Sequence, residues 1–172
     1  PISLFICIPT MVPGEWVAHN LCSVNTLLER HEWFYGLGFL TKAFGMWYAH
    51  VKRCIGITQW GSPAIKLHAH YGEFEILTAY TPIHSYATTL TYRLRVDYPM
   101  WERFFTKKED ATFLSRYDEA GFEIDPLSEL SMKNFQMRLE AGEGPFFLNS
   151  YQVRLTTLNA ALKVYRPKKV SM

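Results

Sequence analysis

Three cysteines, Cys7, Cys22 and Cys54, are all that the 172 residues contain, and they are odd in number, widely spaced and set among apolar neighbours. A disulfide framework has no support from such a set, and no histidine–cysteine spacing resembles a zinc site, so no metal is expected and a reducing, cytoplasmic setting is. Charge of one sign is equally scarce. With 18 Lys and Arg against 16 Asp and Glu, the formal net charge is +2, too little to argue for nucleic acid, and the basic cluster Arg166 to Lys169 reads as a solvated tail. No apolar run approaches the ~18 residues that a membrane span needs, and the opening PISLFICIP lacks the basic leader of a secretory signal. No repeat, low-complexity segment or flexible linker interrupts the chain, and its length suits one substantial core, so residues 1–172 are expected to form a single domain.

Aromatic residues, by contrast, are abundant. Twelve Phe, ten Tyr and five Trp are a heavy load for this length, and such a load suits an apolar pocket or a subunit interface as well as a plain core, which leaves a homodimer open.

Residues 2–8, ISLFICI, form a continuous apolar run bounded by Pro9 and Pro13, the pattern of a buried central strand. Trp16 to Val24 reads as the next strand. From Phe39 to about Arg53, apolar residues recur at helical spacing, with Gly45 in mid-helix suggesting close approach of another group. Residues 73–80 and 87–96 read as a hairpin joined by TPIHSY, and Leu90, Tyr92, Leu94 and Val96 alternate with Thr91, Arg93 and Arg95, so one face is buried. Beyond Asp97, Trp101 to Lys107 and Ala111 to Ala120 are expected as short helices. Residues 135–140 and 146–155 are expected as strands around the turn AGEGP, and 156–165 as a helix or a strand. The class is α+β, with a mixed, mostly antiparallel sheet flanked by helices.

The chain is organised around residues 36–77. Gly36 and Gly38 suit a tight turn, and a helix opening near Phe39 adds its own unpaired N–H groups and positive dipole end, so Leu37, Gly38, Phe39 and Leu40 make an anion cradle. Ser62 can cap a second helix with Pro63 at its first position, and Gly72 is the expected stop.

This ordered series, Gly36-Leu37-Gly38 into a helix, Ile55 to Thr58 as a strand, then SPAIKLHAHYGEFEIL, resembles the acyl-donor half of the GNAT acyltransferase superfamily over residues 16–96. It departs from the family pattern at Trp33, where Gln or Arg is usual, at Gly61 or Ser62 for Asn, at His68 for Tyr, and in Glu73 between Gly72 and Phe74. The strand and helices that precede this part in the family are not evident, and residues 97–172 are unassigned by it. The resemblance implies a GNAT-like fold and direct transfer of an acyl group from acetyl-CoA or another acyl-CoA, or from an acyl carrier protein, to a small-molecule amine.

Under that resemblance, Gly36, Leu37, Gly38, Phe39 and Leu40 lie under the pyrophosphate and Ser62 on the following cap. Cys22 lies on the strand that meets the pantetheine arm, with His19 and Asn20 near the substrate. Arg30 is either a phosphate contact or a solvated loop cation. His68 takes the place of the tyrosine that protonates the leaving thiolate, and His19 and Glu29 are candidates for accepting the amine proton. The competing expectation is a non-catalytic protein that binds apolar ligands or assembles through an aromatic-rich pocket or interface. Pro1 as an amine base has nothing else in the chain to support it, and no Ser or Cys sits in a nucleophile elbow.

Overall fold

The structure is a computed structural model that describes residues 1–83, 86–97, 100–101, 112–157 and 159–169. Among these residues eight strands and five helices make an α+β fold with mixed, mostly antiparallel strand pairing. They group into two compact units, Pro1–Gly56 and Ile57–Met172.

In the first unit, β1 (Ser3–Pro9) pairs antiparallel with β2 (Glu15–Ser23), and β2 pairs parallel with the start of β3 (Arg53–Gln59). A parallel pair needs a crossover, and α1 (Leu37–Tyr48) supplies it. The helix stops before the expected Arg53. His50 takes a left-handed φ of 51°, its N–H donates to Trp47 O, and the Val51 N–H reaches back to Met46 O, so the last carbonyls are satisfied and the buried Val51 closes the end. β1 is not the buried central strand its apolar run suggests. Its ladder is with β2, and Leu4, Ile6 and Ile8 remain 46%, 38% and 49% exposed. Phe5 does meet the helix: a Cβ on Gly45 would lie 2.9 Å from the Phe5 ring, so Gly45 permits the close approach its position suggests. An uninterrupted apolar run reads the same whether both faces are covered or only one.

In the second unit the strand order is β5-β4-β7-β8-β6, antiparallel throughout. The strands are β4 (Gly72–Thr78), β5 (Thr89–Val96), β6 (Tyr117–Ile124), β7 (Phe146–Leu148) and β8 (Leu162–Pro167). The expected alternation in β5 holds, with Leu90, Tyr92 and Leu94 buried. β4 is paired on both edges, and Gly72 to Ile76 are all buried. Helix α2 (Pro63–His68) starts as expected, with Ser62 Oγ accepting from Ala64 N–H at 3.2 Å.

Four expectations fail here. Gly72 does not end α2, which stops at His68; it opens β4 with φ +156°, where a Cβ would overlap the carbonyl oxygen of Arg95. Among the described residues of 111–120, only Phe113–Arg116, helix α3, are helical, because Tyr117 to Glu119 pair with β8, and Gly121 takes φ +83° where the register slips between Glu119 and Glu123. Residues 135–140 are not a strand but the end of α4 (Glu129–Glu140), which Ser128 caps by accepting from Ser131 N–H and which buries Met132 and Phe135. Within 146–155 the strand lasts three residues; Asn149 then accepts from the N–H groups of Tyr151 and Gln152 and starts α5 (Ser150–Leu155). β8 settles the second half of 156–165 as strand. His84 and Ser85 of the hairpin connection, and 102–107 of the expected helix from Trp101, lie outside the described residues.

Gly72 generates a stability prediction. Gly72→Ala forces both an unfavourable φ and an overlap with the β5 backbone, so it should destabilise by about 3 kcal/mol, read as a lowered urea midpoint with unchanged slope.

Candidate functional site

The glycine turn is built by the loop before it. The Asn25 side chain bridges to Phe34 on both sides, Nδ2 donating to Phe34 O at 3.1 Å and Oδ1 accepting from Phe34 N–H at 2.9 Å. Phe34 O also accepts from Leu37 N–H at 3.2 Å, and Gly36, at φ 78°, is the N-cap of α1. This left-handed cap is open to glycine without strain. Leu40 N–H donates to Gly36 O at 2.9 Å. Of the four N–H groups the sequence nominates, those of Leu37 and Leu40 are therefore committed within the turn, and Gly38, at the second helical position, has no acceptor inside the helix. The 12-residue helix directs its positive dipole end at the same place.

Beside the turn, β2 and β3 pair in parallel only at Glu15↔Arg53, Trp16↔Cys54 and Val17↔Ile55, while β2 runs on to Ser23. His19, Asn20 and Cys22 lie on that continuation and are exposed. Glu29 serves the backbone instead: it forms a reciprocal capping box with Glu32, whose carboxylate accepts from Glu29 N–H at 3.0 Å. Arg30 is exposed in the short turn this box starts, and Trp33, in place of the usual Gln or Arg, donates its indole N–H to Leu28 O at 3.2 Å. Under α1, Lys42 is fully buried with its ammonium 5.6 Å from the centre of the Phe5 ring. Burial lowers its pKa below the ordinary lysine range, and burial likewise raises the thiols of Cys54 and Cys7.

The first unit contains the glycine turn, Leu37 to Leu40, Cys22, His19, Glu29 and Arg30, whereas Ser62 and His68 belong to the second. His68 is the last residue of α2, 9% exposed, with its ring 5.0 Å from that of Tyr92, which in turn lies 4.7 Å from Phe74.

The second unit holds a charged cluster that sequence reasoning missed. Glu73 and Glu75 of β4 are buried and stand directly opposite Arg95 and Arg93. Glu75 pairs with Arg93 at 3.3 Å, and Glu73 with Arg95 at 3.6 Å and with Arg116. Tyr117 also hydrogen-bonds Glu73, and its phenol is pushed up to about 12, first by burial, then by that bond and the Glu73 charge. The signal was present in the sequence, because Glu73-x-Glu75 and Arg93-x-Arg95 carry the same period-two spacing on consecutive strands. Among the described residues no cluster of three His, Cys, Asp or Glu side chains could hold a metal ion.

No family model, curated protein or solved structure matches this chain. No helix among the described residues is long and apolar enough to cross a membrane.

The Tyr117 environment fixes a sign for alkaline stability. Its folded pKa of about 12 exceeds the ordinary 10.0, so the folded state keeps a proton that the unfolded chain releases, and the stabilisation is complete below pH 10 and lost as pH rises through 12. Thermal melts followed by circular dichroism should show a steeper fall of Tm from pH 10 to 12 in the wild type than in Tyr117→Phe.

Proposed function

We propose that this chain is a GNAT-like N-acyltransferase that binds an acyl-CoA, or the phosphopantetheine of an acyl carrier protein, through its first unit and transfers the acyl group directly to a small-molecule amine. The observation that carries the reading is the β2–α1–β3 crossover. Two parallel strands, paired for three residues, are joined by a helix that opens on a left-handed glycine and presents Gly38 N–H at its positive end. Phosphate groups are held by such termini because donors and dipole act together. Past Val17, β2 has backbone groups beyond the β3 ladder, which suits an extended pantetheine arm carrying two amides. In the reaction the amine nitrogen attacks the thioester carbonyl carbon, the C–S bond breaks, the thiolate takes up a proton and the amine loses one. The resemblance offers His19 or Glu29 for the amine's proton. Glu29's commitment to its capping box favours His19. A cytoplasmic location belongs to the same reading.

The alternative, a non-catalytic binding or assembly protein, is favoured by one observation: Phe44, Trp47 and Tyr48 of α1 are all at least half exposed.

One experiment tests the acyltransferase reading. Gly38→Val adds a branched side chain at the turn and should weaken CoA binding by at least ~100-fold in calorimetry, equivalent to the loss of ~2.7 kcal/mol, while far-ultraviolet circular dichroism stays unchanged. Unaltered CoA affinity would sink the phosphate assignment.

A further inference from the structure

Helix α1 is turned inside out for a surface helix. Its single charged residue, Lys42, is completely buried with Phe39, Ala43 and Met46, whereas Leu40, Phe44, Trp47 and Tyr48 are 43%, 59%, 50% and 73% exposed. These four positions fall on one helical face, at i, i+4, i+7 and i+8. Their rings are already ordered against one another: the Phe44 centroid lies 5.8 Å from that of Trp47 and 6.2 Å from that of Tyr48, the latter pair stacked. In the segment leading into the helix, Trp33, Phe34 and Tyr35 are also exposed, at 40%, 51% and 82%.

We infer that this aromatic face is a homodimer interface, α1 of one copy packing on α1 of a second. Size is the first argument. The four side chains of this face expose on the order of 500 Å² of largely apolar surface, at the upper end of what a monomer ordinarily leaves in one patch, and two such faces together reach the roughly 1,000 Å² that a specific interface needs. Charge is the second. No charged side chain projects from this face of the helix, so two copies related by a two-fold axis can meet there without bringing like charges together. The same fact argues against a lipid surface, which recruits an interfacial helix through Lys and Arg flanking its apolar face; the only such residue in α1 points inward. Composition is the third, since Trp, Tyr and Phe carry most of the energy of protein interfaces, and rings ordered beforehand lose less entropy on association.

The test is the mass of the full-length chain in solution by light scattering and sedimentation across a dilution series. The wild type should have twice the 20.0 kDa chain mass and dissociate on dilution. Trp47→Glu and Phe44→Gln should weaken self-association by at least ~100-fold with unchanged circular dichroism. Leu127→Glu, at a residue 69% exposed in the second unit, should leave it intact. A wild type that is monomeric at every concentration, or a dimer that survives both α1 substitutions, overturns the inference. So does co-sedimentation of the wild type with phosphatidylcholine–phosphatidylserine vesicles that Trp47→Glu abolishes, because the face would then belong to lipid. If Trp47→Glu is misfolded, Phe44→Gln alone decides.

Discussion

Burying two carboxylates in an interior strand of the second unit is the constraint from which much else there follows. Glu73 and Glu75 lie in β4, paired on both edges, and a buried carboxylate without a partner costs several kcal/mol. β5 therefore presents Arg93 and Arg95 in register, and α3 delivers Arg116 from the far side of the sequence. Tyr117 adds its hydroxyl and its ring, and together with Phe113, Phe147 and Tyr165 it forms an aromatic cluster. Arg95 lies 5.8 Å above the Phe147 ring and Arg116 5.7 Å above that of Tyr117, so the guanidiniums are held by rings as well as by charge. Removing Glu73 would take a counter-charge from Arg95 and Arg116 at once, whereas removing either of those arginines leaves Glu73 paired with the other.

The opposite face of the same strands is apolar and has a different task. Phe74 and Ile76 face Leu94, Tyr92, Leu148 and Phe146 in the ladders, and His68 joins this packing from α2. A histidine there is tolerated because an imidazole can stack on a phenol ring while its nitrogens seek polar partners. The first unit solves a different problem, a parallel strand pair, with a single crossover helix. That helix begins on glycine because its cap is left-handed and contains glycine again at position 45 because β1 passes too close for a side chain.

How much of this could be read in the sequence depended on the range of the interaction. Several local signals were sound: Ser62 with Pro63 started α2, Gly36 capped α1, although the helix opens at Leu37 rather than near Phe39 and holds Gly38 in its first turn, and the alternation of residues 87–96 identified the buried face of β5. Of the candidate site, the turn and its cap were legible; the Asn25 bridge that holds the turn was not, since it joins residues nine apart through a side chain that reads only as a loop former. Local readings failed where a long-range partner decided. Tyr117 to Glu119 read as part of a helix yet pair with β8, more than forty residues on. FQMRLE alternates like a strand, but the cap at Ser128 and the burial of Met132 and Phe135 make it helical.

By itself the sequence determined the α+β class, the start of α2 at its Ser62 cap and the apolar face of β5, because each rests on backbone chemistry within a few residues. Tertiary structure alone decided that β1 has a solvent-exposed row, that Gly72 belongs to a strand rather than a helix end, that Glu73 and Glu75 are buried among arginines, and that Lys42 rather than Phe44 faces inward. The physical reason is that solvent exposure and charge pairing are properties of neighbours brought together by folding. A residue's type limits those neighbours but does not name them.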